Sequence, residues 1–124
     1  MLFRSQQFST KSRKISALNQ EGVVYSVNCS CGLPYIGETG RRLICRISEH
    51  KSAVRNACNK TGLDRHVNFT GHKIDWNSVK ILSFQAQSIE RKLEESLEIE
   101  KTDGASINDN PGMHPHVLFK QFLS

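Results

Sequence analysis

The segment Gly22–Arg42, with the sequence GVVYSVNCSCGLPYIGETGRR, restricts the fold more than any other part of this 124-residue chain. Two short apolar runs, each with a tyrosine, flank a loop that holds Cys29 and Cys31. Valine and tyrosine suit a pleated strand, whereas the glycine and proline of the loop favour a turn. The segment therefore predicts a β-hairpin over residues 23–37, and so a fold that contains a sheet.

Beyond the hairpin, helical patterns come first. ETGRR, residues 38–42, predicts a turn. Residues at helical spacing then predict a helix from about Arg41 to Arg55. The residues that define this spacing are Leu43, Ile47, His50 and Val54. LDRHVNF predicts a short helix, with Gly71 just past its end.

The second half of the chain predicts one more strand and one more helix. A strand is expected around Val79–Phe84. Ser88 is suited to cap a long helix, whose apolar stripe consists of Ile89, Leu93 and Leu97. The C-terminal HVLFKQFLS is apolar enough to be ordered. This order of elements predicts an α+β sandwich, with a small three-stranded antiparallel sheet flanked by helices.

Length and composition predict one soluble domain, residues 21–124, preceded by a basic arm. The first 20 residues contain four basic side chains and no acid. That composition favours a disordered linker, although it also fits a mitochondrial transit peptide. No apolar run approaches the roughly 20 residues that a membrane span needs, so no membrane partner is expected.

Charge is unevenly distributed within the predicted domain. Six basic residues face two acids between Glu38 and Lys60, and six acids face three basic residues between Ser88 and Asp103. A basic face beside an acidic cluster suits a nuclease, because cations hold phosphates and carboxylates hold a metal ion. Ordinary variation in charge along a solvated surface explains the same pattern.

Several motifs together resemble the GIY-YIG endonucleases. VVY at Val23–Tyr25 and YIG at Tyr35–Gly37 resemble the paired tyrosine motif, although Val replaces the first two residues of the first tag. The segment after YIG resembles the family's helix, with Arg46 four residues before His50. LEESLEI and SIND resemble the segments that carry the family's metal-binding glutamate and its asparagine. LDRHVNFTGHKIDWNSVKIL is similar to the endonuclease domain of Penelope-like retroelements, and the resemblance spans residues 22–112.

The resemblance implies a catalytic set. Its members are Tyr25, Tyr35, Arg46, His50, Glu95 and Asn108. Arg46 is expected to stabilise charge on the phosphate, and His50, on the same helix face, to orient water or bind phosphate. Glu95 is expected to bind Mg²⁺ or Mn²⁺, with Glu94 as the alternative. Asn108 is expected to hold the local turn and the site together.

The cysteines favour a metal site. The chain has four cysteines and no secretory signal peptide, so a disulfide framework is not indicated. Cys29 and Cys31 are too close to pair easily and, with His66 and His72, make a Cys₂His₂ set suited to structural zinc. In Penelope-like endonuclease domains this constellation is expected. Further candidate ligands are Cys45 and Cys58.

The expected function is metal-dependent hydrolysis of phosphodiester bonds in DNA. The resemblance implies nicking of chromosomal DNA in the nucleus, leaving a 3′-hydroxyl for a reverse transcriptase domain in a longer parent protein. Phosphate contacts are expected from Arg41, Arg42 and Lys51. Gly37 is expected to allow close approach of the backbone to a helix or to DNA. The alternative is a zinc-stabilised nucleic-acid-binding module that has lost cleavage.

Overall fold

A computed structural model describes residues 15–108 of the chain, where a helical turn at residues 15–18 precedes three strands and three longer helices. The strands are β1 (Glu21–Cys29), β2 (Pro34–Arg42) and β3 (Ile74–Phe84), and the helices are α1 (Leu43–Arg55), α2 (Gly62–Thr70) and α3 (Ser88–Lys101). The expected ordered C-terminus and most of the expected arm lie outside the described residues. Within residues 15–108, no helix combines the length and hydrophobicity that a membrane crossing requires.

The sheet has the order β2-β1-β3, and both pairings are antiparallel. Its central strand is buried on both faces. Val23 and Val27 pack with residues of α1 and α2, whereas Val24 packs with Ile36 and Ile99 of α3. Helices therefore cover both faces of the sheet. This confirms the predicted α+β architecture with a small three-stranded antiparallel sheet.

Both strands beyond the central one are longer than the sequence predicts. The expected turn at residues 38–42 is wrong, because this segment continues β2 and pairs with β1 through Glu38 and Thr39. Strand β3 begins at Ile74, opposite Cys29, rather than near Val79. Both segments contain polar residues, so a search for apolar runs misses them. They form strands because pairing with β1 stabilises them.

The short helix α2 forms as predicted and has well-defined ends. The Thr61 side chain accepts a hydrogen bond from the Asp64 backbone N–H, and the Asp64 carboxylate accepts one from the Thr61 N–H. This reciprocal pair is a capping box. At the other end Gly71 has a φ of 75°, the left-handed conformation that glycine adopts without strain. The predicted position of Gly71 is confirmed.

Helix α3 differs from its prediction in its cap and in its buried face. Gln87 rather than Ser88 is the N-cap residue, and it makes no side-chain capping bond. Ile89 of the predicted stripe is 53% exposed, whereas the buried residues are Arg91, Ser96 and Ile99.

A buried arginine accounts for the face that α3 turns towards the sheet. Arg91 Nε donates to Glu38 Oε2 of β2 at 2.5 Å, and Nη1 donates to the carbonyls of Gln85 and Ala86. These bonds hold the start of the helix against the edge of the sheet. Glu95 lies one turn after Arg91 and so shares its helix face, which places Glu95 towards the same edge of the sheet.

Candidate active site and metal centre

The two tyrosines of the predicted catalytic set lie on neighbouring strands, Tyr25 on the central strand β1 and Tyr35 near the start of β2. Tyr25 on β1 is fully buried, and its backbone partner on β2 is Gly37. A Cβ atom at Gly37 would overlap the phenol ring and hydroxyl of Tyr25. The close approach at Gly37 therefore accommodates a tyrosine of the same sheet. The close neighbour is therefore a strand residue rather than the expected helix.

Helix α1 brings two more predicted residues to these tyrosines. Tyr25 Oη and His50 Nε2 are 2.7 Å apart, and His50 is only 1% exposed. The rings of Tyr35 and His50 meet edge to face, with centroids 5.3 Å apart. Arg46 lies one turn before His50, and its positive charge acts on both tyrosine hydroxyls against the larger effect of burial. Four of the predicted residues thus form one buried polar cluster.

Glu95 of α3 completes this cluster electrostatically. Burial, and then the charge of Glu38, raises the pKa of Glu95 to about 7, while Arg46 acts in the opposite direction. Glu95 in turn helps to raise the pKa values of both tyrosines. Of the two candidate ligands Glu94 and Glu95, Glu95 is therefore the one whose charge acts on both tyrosines.

Burial also fixes the protonation states of the cluster. It raises the pKa of Tyr25 far above the usual range, with Tyr35 adding to the effect, and it raises the pKa of Tyr35 to about 12. Burial, followed by the charge of Arg46, lowers the pKa of His50 to about 4. At neutral pH both tyrosines are protonated and His50 is neutral. The imidazole is then available as a hydrogen-bond acceptor for the Tyr25 hydroxyl.

Arg46 connects the buried cluster to solvent. Its side chain is 28% exposed and donates to Glu49 Oε1 at 3.1 Å, while Arg41 donates to the same oxygen at 2.7 Å. The bond from Arg41, reinforced by Arg46, lowers the pKa of Glu49 to about 2. A cavity of about 420 Å³ beside the cluster is lined in part by Arg46, Glu49, His50 and Lys60. An anionic group in this cavity would meet Arg46 directly.

Asn108 does not touch the cluster but holds the strand that carries Tyr35. Its side-chain amide donates to the Ile36 carbonyl at 2.8 Å and accepts from the Ile36 N–H at 3.1 Å. Ile107 N–H also donates to the Pro34 carbonyl. These bonds occupy the outer edge of β2, where no strand within residues 15–108 satisfies the backbone. The expectation that Asn108 holds this part of the site in place is consistent with these contacts.

The three residues expected to bind DNA lie in different surroundings. Arg41 is exposed and shares Glu49 with Arg46, which brings it next to the cluster. Arg42 is also exposed. Lys51 lies over the ring of Trp76, with Nζ 5.7 Å from the centroid, and lines a separate cavity of about 220 Å³. Arg41 and Lys51 therefore face different sides of α1.

The predicted cysteine and histidine ligands come together at the tip of the hairpin. Ligand atoms of Cys29, Cys31, His66 and His72 all lie within 4.8 Å of one another. His66 Nε2 is 3.4 Å from Cys29 Sγ, 3.7 Å from Cys31 Sγ and 3.2 Å from His72 Nδ1. Cys45 and Cys58, the alternative ligands, are outside this group.

These distances suit a tetrahedral metal ion. Zinc bonds of about 2.0–2.3 Å to nitrogen and sulfur keep tetrahedral ligand atoms roughly 3.3–3.8 Å apart. One imidazole nitrogen has a single proton or a single lone pair, so His66 Nε2 cannot make three separate hydrogen bonds. The cluster can therefore hold a metal such as zinc. The end of β1 and the hairpin loop supply the sulfur ligands, and α2 with the segment after it supplies the nitrogen ligands.

Three residues around the site were not singled out by the sequence patterns. Asp64 on α2 is fully buried and its Oδ1 lies 3.8 Å from His50 Nδ1. Glu38 and Arg91 form the ion pair that orients α3. The spacing Thr61-x-x-Asp64 is a capping-box pattern and predicts the local role of Asp64. The other two residues meet only across the fold, so no local pattern identifies their contact.

Comparison of this chain with family models, with curated proteins and with solved structures finds no match. Functional inference therefore rests on the residues of the site and on the motifs that they form.

Proposed function

We propose that this chain is a metal-dependent DNA endonuclease domain of the GIY-YIG type, similar to that of Penelope-like retroelements. The observation that carries the proposal is the convergence of Tyr25, Tyr35, Arg46, His50 and Glu95 from three parts of the fold. Ordinary packing does not require two phenols, a guanidinium, an imidazole and a carboxylate to share one largely buried cluster. Such clusters of shifted pKa values are typical of catalytic sites.

In this proposal Arg46 binds the scissile phosphate. It donates to the Glu49 carboxylate in the described structure, and its charge acts on the Tyr25 hydroxyl. Its planar guanidinium suits phosphate oxygens, and it stays protonated throughout the reaction. On binding DNA, Arg46 exchanges Glu49 for the phosphate and stabilises the charge that develops in the transition state.

Tyr25 and His50 then handle the proton of the attacking water. The pKa of Tyr25 is too high for a stable phenolate at neutral pH, so Tyr25 is unsuited to act as a base alone. His50 lies within hydrogen-bond distance of the Tyr25 hydroxyl and is neutral. Tyr25 passes its own proton to His50 while it accepts one from water. The bond that breaks joins phosphorus to the 3′-oxygen, which becomes the 3′-hydroxyl of the nick.

Glu95 is the residue that fits a divalent ion in this proposal. Its pKa is raised by burial and by the neighbouring Glu38, and a hard cation relieves both effects. Magnesium needs only one or two protein carboxylates, because it retains water ligands and binds substrate phosphate. When bound there, Mg²⁺ or Mn²⁺ would supply positive charge for the departing oxygen.

The second metal of the proposal is structural zinc at Cys29, Cys31, His66 and His72. Four protein ligands fill a tetrahedral shell and leave no position for a reactive water. Zinc at this point ties the hairpin loop to α2 and to the segment before β3. It thereby fixes the strands that carry both tyrosines, without a larger hydrophobic core.

The test is cleavage of supercoiled plasmid with Mg²⁺ or Mn²⁺, using Glu95→Gln and its neighbour Glu94→Gln as a matched pair. We expect Glu95→Gln to reduce nicking roughly a hundredfold or more while DNA affinity changes little, because it removes a metal ligand and no phosphate donor. Glu94→Gln should cleave normally. Normal cleavage by Glu95→Gln would refute the assignment of this residue, and loss of cleavage in Glu94→Gln alone would transfer the role.

One observation favours the alternative of a binding module. The Tyr25 side chain has no exposed surface, so water reaches its hydroxyl only after Arg46 or a neighbour moves. Wild-type protein that binds DNA tightly but does not nick it with either ion would support this alternative. Metal-dependent nicking that is lost in Glu95→Gln would exclude it.

A further inference from the structure

The buried carboxylate of Asp64 is not explained by the proposed catalytic roles or by the zinc cluster. Its side chain is fully buried, and Oδ2 accepts the Thr61 N–H of the capping box at 3.2 Å. Oδ1 has no hydrogen-bond partner among the described residues. A capping box uses one oxygen, whereas an unpaired buried carboxylate oxygen is costly. The second oxygen therefore calls for another role.

That second oxygen faces the histidine of the site. Asp64 Oδ1 lies 3.8 Å from His50 Nδ1, and the opposite ring nitrogen, Nε2, lies 2.7 Å from Tyr25 Oη. The first separation is longer than a hydrogen bond. Catalytic hydrogen bonds are often long before substrate binds and shorten in the complex. The carboxylate, the imidazole and the phenol thus follow one another in a chain.

The groups on either side of the His50 ring indicate which of its nitrogens carries the proton. The Asp64 carboxylate can only accept, so it favours an N–H rather than a lone pair on Nδ1, the nitrogen that faces it. His50 Nε2 then carries the lone pair that accepts the single proton of the buried Tyr25 phenol. A neutral imidazole has one N–H, so the proton of His50 lies on Nδ1, the nitrogen that faces Asp64.

We propose that Asp64 is a positioning residue that holds His50 in the Nδ1–H tautomer, so that Nε2 accepts the proton released by Tyr25. This inference rests on the proposed endonuclease function. In the reaction, the water oxygen bonds to phosphorus while one water proton passes to the Tyr25 oxygen. The Tyr25 proton passes to His50 Nε2, and Asp64 stabilises the imidazolium that forms. The P–O bond to the leaving oxygen breaks, and that oxygen takes its proton from solvent.

The test is the tautomer of His50, measured by NMR on protein labelled with ¹⁵N-histidine. Signals of His50 are assigned by their loss in His50→Gln. We expect the Nδ1–H form in the wild type and a shift towards Nε2–H in Asp64→Asn, whose amide nitrogen can donate to Nδ1. Nicking by Asp64→Asn should fall roughly tenfold or more. An Nε2–H form in the wild type, or an unchanged tautomer in Asp64→Asn, would overturn the proposal.

Thr61→Ala is the control for a purely structural role of Asp64. It removes the hydroxyl half of the capping box and lowers the stability of α2, but it leaves the carboxylate beside His50. We expect a lower melting temperature and an unchanged tautomer. A tautomer shift in Thr61→Ala as large as that in Asp64→Asn would show that Asp64 acts only through helix capping. If the expected tautomers are found but wild-type protein does not nick DNA, the endonuclease proposal fails and the arrangement around His50 stands.

Discussion

The two clusters supported by the β1–β2 hairpin are built from different chemistry. The tip holds Cys29 and Cys31 with two histidines, in a group that ranges from buried to exposed. The paired strands carry Tyr25 and Tyr35, which form a second cluster with a guanidinium, an imidazole and a carboxylate, and burial shifts several of their pKa values. The first cluster brings together four soft or borderline ligands, and the second brings together groups that donate, accept and carry charge.

This difference indicates a division of labour. A cluster with four converging ligands can bind one metal ion with no open position, as structural metal sites do. One ion cannot satisfy every group of the tyrosine cluster, because these groups include two hydroxyls, a fixed positive charge and an acid with a raised pKa. In the proposed function, a phosphate and a cation complete this cluster. Helix α2 belongs to both clusters, since it carries Asp64 and His66.

The largest expected effect concerns the cysteine and histidine cluster. We expect Cys29→Ser to lose the bound zinc, about one ion per chain in the wild type, and to lower the melting temperature by roughly 10 °C or more. Cys45→Ser is the matched control, because Cys45 lies outside the cluster. Elemental analysis and thermal unfolding provide the measurements. Full stability of metal-free wild-type protein would remove the distinction between the two clusters.

A smaller effect concerns pH, through the buried His50. Its pKa is about 4 in the folded protein and near 6.5 when unfolded, so the unfolded chain binds more protons between these values. The stabilising contribution is complete above about pH 6.5 and is lost as the pH falls towards 4. Arg46, Asp64 and Glu49 face this imidazole and set the balance.

The measurement is the difference in free energy of unfolding between wild type and His50→Gln across this pH range. We expect the difference to fall by an amount on the order of 2 kcal/mol between about pH 7 and pH 4. Acid release of zinc affects both proteins, so it cancels in the difference. A difference independent of pH would show that His50 is not held neutral.

The smallest expected effect concerns DNA binding on the two sides of α1. Arg41 lies beside Arg46, whereas Lys51 lies against Trp76. If DNA phosphate binds on the side of α1 that carries Arg46, Arg41→Ala should weaken binding a few-fold and reduce the slope of log affinity against log salt by about one. Lys51→Ala should have the weaker effect of the two. Equal effects from both substitutions would mean that DNA contacts both sides of the helix.

Local patterns alone indicated much of the fold and of the site. Strand-favouring residues on both sides of a turn-forming loop located the hairpin, helical spacing located α1, and a glycine beyond the apolar residues marked the end of α2 at Gly71. The cysteine and histidine set was chosen for its ligand chemistry, and the structure brings its four members together. The residues of the polar cluster were identified through the resemblance of short motifs, each a run of neighbouring residues, to those of a known family.

Only the tertiary structure decided the features that depend on residues far apart in the chain. Residues 38–42 extend β2 because β1 pairs with them, although their composition favours a turn. The direction of Glu95 follows from the ion pair between Arg91 and Glu38, and the second role of Asp64 follows from its position beside His50. Spacing along a helix or strand records which residues share a face. The partner that covers the face is selected by packing, pairing and charge across the whole domain.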